Sequence, residues 1–66
     1  MRIVVNGEPF DVDEHVRLGE LVDGRVASRK GVAVAVDGEV VPRPTWDDIE
    51  LTEGDRIEIV GAVQGG

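Results

Sequence analysis

Apolar positions recur with period two near both ends of the chain and with helical spacing once between them. In Met1-Arg2-Ile3-Val4-Val5 the apolar Met1, Ile3 and Val5 share one face, which predicts a half-buried strand. Asn6-Gly7 follows, a pair suited to a tight hairpin turn because both central residues there take positive φ. Glu8-Pro9-Phe10-Asp11-Val12 then returns antiparallel, with Phe10 and Val12 expected to point inward. Pro9 lacks an N–H, which marks this return strand as an edge. After a polar connection from Asp13, residues Leu18, Leu21 and Val22 stand at i, i+3 and i+4. They predict a short amphipathic helix from Arg17 to Gly24. No Ser, Thr, Asn or Asp stands immediately before Leu18 to cap it. Gly19 costs up to about 1 kcal/mol relative to Ala, and Gly24 reads as the C-terminal stop. Packing, not propensity, must hold this helix.

Val32-Ala33-Val34-Ala35-Val36 is apolar on both faces, valines one way and small alanines the other, as an inner strand would be. Asp37-Gly38 is a second tight turn, and Glu39-Val40-Val41 a short return stopped by Pro42 and Pro44. Thr45 is placed to cap a single turn through Trp46-Asp47-Asp48, with Ile49 or Leu51 packing beneath it. Trp46 reads as a packing residue over the sheet end. Glu53-Gly54-Asp55 leads into the last strand, Arg56 to Val60, with Ile57 and Ile59 inward. A helix between two hairpins must cross one face of the sheet, by a right-handed connection. The first and last strands then become a parallel central pair. This is an α+β arrangement: the β-grasp, or ubiquitin-like, fold, with a mixed sheet of about five strands and one helix on one face.

The domain is expected to occupy residues 1–60 and to leave 61–66 as a flexible tail ending Val63-Gln64-Gly65-Gly66. Two terminal glycines bring no side chain to a core, but they can thread a narrow channel and leave the carboxylate uncrowded. The plain alternative is a frayed end. With glycine at about 7% of residues, a chance terminal pair has odds of roughly 1 in 200.

Composition narrows the function. Sixty-six residues without cysteine make one small domain with no disulfide, no thiol nucleophile and no thiolate zinc site. No apolar run approaches the roughly 20 residues that span a bilayer, and no signal peptide is evident. No membrane association and a cytoplasmic home are therefore expected. A net charge of −7 argues against nucleic acid and suits either a basic partner or a simply solvated surface. One histidine, one serine and no tyrosine leave little for catalysis, and the spacing of Ser28 and His15 supports no triad. Asp11, Asp13 and Glu14, and separately Asp47, Asp48 and Glu50, match no calcium-loop spacing and read as solvated surface; no metal is expected.

The run Gly31-Val32-Ala33-Val34-Ala35-Val36-Asp37-Gly38-Glu39-Val40-Val41-Pro42-Arg43 resembles the centre of the thiamine-biosynthesis sulfur carriers. So do Trp46, Gly54-Asp55-Arg56-Ile57-Glu58-Ile59-Val60, and the ending Val63-Gln64-Gly65-Gly66. Departures are modest: Asp37 stands where the family usually has Asn, Arg17 where Thr often caps the helix, and Gly61 where a larger residue is common. The resemblance implies a protein cosubstrate and not an enzyme. Its Gly66 carboxylate would be adenylated by a partner adenylyltransferase using ATP and magnesium, with no cofactor of the carrier's own. A cysteine desulfurase relay would supply sulfur, Gly66 would become a thiocarboxylate, and a thiazole synthase would receive the sulfur. Gly65, Gln64 and Val63 would enter the partner's active site, and the free chain would be a monomer. The same ending also suits a carrier for molybdopterin or cysteine synthesis, or a ubiquitin-like modifier of lysines. A pure binding module is a further reading.

Strand alternation assigns Met1, Ile3, Val5, Val34, Val36, Ile57 and Ile59 to the face under the helix. Val4, Ala33, Ala35, Glu58 and Val60 then fall on the opposite face, with Arg2 among them. One helix cannot cover both faces, so this second face is the expected partner-docking surface.

Overall fold

The computed structural model describes residues 1–61. Its elements are β1 (Arg2–Val5), β2 (Glu8–Asp11), α1 (Leu18–Arg25), β3 (Val32–Val36), β4 (Glu39–Val40), a 3₁₀ helix (Arg43–Asp48) and β5 (Arg56–Gly61). The five strands form one sheet in the order β2-β1-β5-β3-β4. β1 and β5 are the parallel pair, joined at Val4 to Arg56 and Val5 to Ile57, and every other pairing is antiparallel. Both hairpins turn as their residues require: φ is 50° at Asn6 and 84° at Gly7, 50° at Asp37 and 86° at Gly38.

The core lies between α1 and one face of the sheet. Ile3 and Val5 come from β1, Val32 and Val34 from β3, and Ile57 from β5; α1 supplies Leu18, Leu21 and Val22. Trp46 and Leu51 complete it. Trp46 is 1% exposed, and its Nε1–H donates to the Val41 carbonyl at 2.9 Å, so the one polar atom of the ring is satisfied. It is a packing residue, as expected, but it belongs to the core proper.

Several local expectations are corrected. Phe10 lies opposite Ile3 on the inner face yet is 42% exposed, because β2 is the outermost strand. The Arg25 guanidinium lies 5.6 Å from its ring centroid. Gly24 does not stop α1: the helix runs through Arg25 and closes at Val26, whose N–H donates to the Val22 carbonyl. Thr45 is no cap either. It sits inside the 3₁₀ helix and donates its hydroxyl to the Pro42 carbonyl at 2.7 Å, leaving Pro42 as the flanking residue. β5 continues one residue beyond Val60, with Gly61 opposite Val32.

The start of α1 is set by one local and two tertiary contacts. Glu20 Oε1 accepts the Arg17 N–H at 2.8 Å, which takes up one of the amides that no cap residue serves. Leu18 N–H donates to the Ile49 carbonyl at 2.8 Å, and Leu51 N–H to the Val16 carbonyl at 2.9 Å. Gly19 also has a reason. A Cβ there would stand 2.0 Å from Asp47 Oδ1 and 2.7 Å from an Arg29 nitrogen, so the bare backbone leaves room for the Arg29–Asp47 pair.

Candidate functional site

The outer sheet face assembles as the alternation requires. Arg56 is beside Val4, Glu58 beside Ala35, and Val60 beside Ala33. Val60 is 63% exposed; Ala33 and Glu58 are exposed, and Val4 and Ala35 are half-buried. All five sequence-predicted docking residues therefore share one face, and no second layer covers it among the described residues. Val40 was missed. It pairs with Ala35 and is 78% exposed, extending the apolar strip to the sheet edge. Its neighbour Val41 packs against the core, which leaves Val40 facing outward.

Charge flanks this strip. On its β2 side Arg2 Nε donates to Asp11 Oδ1 at 3.0 Å. That hydrogen bond holds the Asp11 carboxyl below its ordinary range and raises the Arg2 guanidinium. Both side chains are well exposed, and such a pair adds little to stability. The expected tail residues Val63, Gln64, Gly65 and Gly66 lie outside the described residues.

The remaining reactive groups are occupied elsewhere. Ser28 Oγ accepts the Lys30 N–H at 3.1 Å. His15 Nδ1 meets Glu50 Oε2 at 2.5 Å, at a position with φ of 70°. No group of three or more His, Cys, Asp or Glu converges on a metal position among the described residues. No helix among them is long and apolar enough to cross a membrane.

A cluster that the sequence reading did not find ties α1 to the 3₁₀ helix. Arg29 donates from Nε to Asp23 at 2.7 Å and from Nη2 to Asp47 at 2.9 Å, with its guanidinium 5.6 Å from the Trp46 ring centroid. The hydrogen bonds to Asp23 and then Asp47 raise the guanidinium, and both carboxyls are held low in return. Its three partners are scattered along the sequence, so no local motif announces it.

His15 gives a titration that can be followed directly. The hydrogen bond that the ring donates to Glu50, and secondarily the charge of Glu50, raise the imidazole above its ordinary value. The folded-state pKa exceeds the unfolded one, so the contribution to stability is complete below about pH 6.5. It is lost as pH rises through the folded-state value. NMR titration should place His15 above about 6.5 in the wild type, and Glu50→Gln should bring it back toward that value. A titration unchanged by Glu50→Gln would show that the pair does not hold in solution.

A mixed five-stranded sheet with a parallel central pair and one main helix on its inner face defines the β-grasp class. The sequence matches the model of the ThiS family over residues 3–66, and the chain belongs to that family, the small sulfur carriers of thiamine biosynthesis. Among solved structures it is similar to the crystal structure of the thiamine biosynthesis protein ThiS from Geobacter metallireducens. The two are 35% identical with a TM-score of 0.83, and each chain is covered in full. It is also similar to two curated proteins described as thiazole synthases. One, from Magnetococcus marinus, is 36% identical over 66 residues, and the other, from Paramagnetospirillum magneticum, 29% over 66 residues. The chain spans only 20% of the length of each.

Proposed function

We propose that this protein carries sulfur as a thiocarboxylate on Gly66 and delivers it for thiazole formation. The observation that carries this reading is the family match, which runs through Gly65 and Gly66. A carboxylate is a poor electrophile, because its charge repels nucleophiles and oxide is a poor leaving group. A partner adenylyltransferase using ATP and magnesium converts it to an acyl-adenylate as pyrophosphate leaves. The terminal sulfur of a persulfide, supplied by a cysteine desulfurase relay, attacks the carbonyl and AMP departs. A thiol then cleaves the S–S bond and frees the thiocarboxylate. The chain itself contributes the carboxylate and the surface that presents it, not the catalytic groups, and the ATP-dependent step suits a cytoplasmic protein. Similarity to proteins described as thiazole synthases supports a thiazole synthase as recipient over a molybdopterin or cysteine pathway. The test is intact mass after incubation with the adenylyltransferase, ATP and a sulfur donor. One terminal oxygen should be exchanged for sulfur, localised to Gly66. Adducts on lysines of other proteins would overturn the carrier reading in favour of a modifier.

Docking belongs to the outer face. Small apolar side chains grouped around Val60, two positions before Ala62, give a partner a surface to bury while Val63, Gln64 and Gly65 lead Gly66 into its active site. Val60→Glu is expected to leave the fold intact, since Val60 is 63% exposed. It should weaken binding to the adenylyltransferase by roughly 1 to 3 kcal/mol. Calorimetric titration measures this, and unchanged affinity would remove the face from the mechanism.

A further inference from the structure

β5 is the last described strand before residues 62–66, and its two edges are held differently. On the β3 side the ladder continues to Gly61, opposite Val32. On the β1 side the paired residues end at Val5 and Ile57, because the chain turns away at Asn6-Gly7. The Asn6 N–H still donates to the Ile57 carbonyl at 2.8 Å. Beyond it, Ile59 presents an N–H and a carbonyl toward a strand that is no longer there. The Asn6 side chain fills that place. Its Oδ1 accepts the Ile59 N–H at 2.8 Å, and its Nδ2 donates to the Ile59 carbonyl at 3.3 Å.

A carboxamide offers the same donor and acceptor as a peptide group. Asn6 thus lengthens the parallel ladder by one step without a further residue of strand. The second hairpin makes a related contact at the other end of β5. Asp37 N–H donates to the Arg56 carbonyl at 2.8 Å, and Asp37 Oδ1 accepts the Arg56 N–H at 3.0 Å. Both residues have φ of 50°, so the turn that requires this conformation also leads each side chain to β5. The two are not equivalent, because an ionised carboxylate accepts but cannot donate. Only an amide can satisfy both backbone groups of Ile59.

We propose that Asn6 is a positioning residue for sulfur loading. By pairing β5 on its β1 side at Ile59, it fixes the direction in which the strand leaves the sheet and so aims the terminal glycines at the partner's active site. This rests on the carrier reading above. A strand end paired on one side only opens more readily. Without the clamp, the docked carrier would present its carboxylate over a wider range of directions.

The test uses the 66-residue chain with Asn6→Gly, which keeps the positive φ and removes both side-chain hydrogen bonds, and with Asn6→Asp, which keeps only the acceptor. By NMR hydrogen exchange, the Ile59 amide should exchange about tenfold faster in Asn6→Gly, with the amides of β1 less affected. In steady-state thiolation with carrier concentration varied, kcat should fall about three- to tenfold while KM stays within about twofold, since the docking face is untouched. Asn6→Asp should reproduce most of the kcat loss. Unchanged exchange at Ile59 would overturn the clamp. Faster exchange with unchanged kcat would overturn the positioning role, as would losses that merely track global unfolding. A wild-type chain that is not thiolated would overturn the carrier reading and the positioning role together, while exchange at Ile59 would still report on the clamp.

Discussion

Deletion of Gly66 is expected to abolish thiocarboxylate formation and leave the folded domain as stable as before. All the buried apolar residues among those described lie between Ile3 and Ile57. Removal of a residue outside that span should therefore move stability by less than about 0.5 kcal/mol. The chemistry is far more sensitive. One residue of extended chain reaches about 3.3 to 3.6 Å, so the truncated carboxylate would fall short by that much. A misplacement of 1 Å already costs about a hundredfold. Intact mass spectrometry after incubation with adenylyltransferase, ATP and sulfur donor should then show no oxygen-to-sulfur exchange, while circular dichroism and urea midpoints match the full chain. A truncated chain thiolated at the wild-type rate would move the reactive carbonyl away from Gly66.

The second large effect is on the fold. Trp46→Ala removes the largest fully buried side chain and also orphans the Val41 carbonyl that its indole serves. Truncation of a buried tryptophan costs about 3 to 5 kcal/mol. A 66-residue domain has only about 3 to 10 kcal/mol in total. The melting temperature should fall by about 15 to 30 °C, far enough to leave a substantial unfolded fraction at room temperature. Trp46→Phe retains an aromatic ring but loses the hydrogen bond and should cost about 1 to 3 kcal/mol. Circular dichroism serves both variants, since each loses the chain's single tryptophan. If Trp46→Ala unfolds within a few degrees of the wild type, the ring is not part of the core.

Much of the candidate site was legible because it follows from strand periodicity. Once Ile57 and Ile59 are inward, Glu58 and Val60 must be outward, and the same parity places Val4, Ala33 and Ala35 beside them. Val40 escaped because the two-residue strand β4 leaves too short an alternation to fix its register. The Arg29 cluster escaped for a different reason: Asp23, Arg29 and Asp47 meet only after α1 and the 3₁₀ helix have packed.

The sequence by itself determined the strands, both tight turns and the faces of the sheet. These depend on side-chain parity and on backbone angles local to a few residues, as at Asn6-Gly7 and Asp37-Gly38. Tertiary structure decided where elements begin and end, and what satisfies their edges. At the start of α1 the Ile49 carbonyl takes up the Leu18 N–H, beside the local contact from Glu20 to Arg17, and Gly19 leaves room for the Arg29–Asp47 pair. Asn6 clamps Ile59 because the parallel pairing of β1 with β5 brings residues 53 apart in sequence within hydrogen-bond reach. A turn motif specifies its own φ angles. It does not specify which distant strand its side chain will meet.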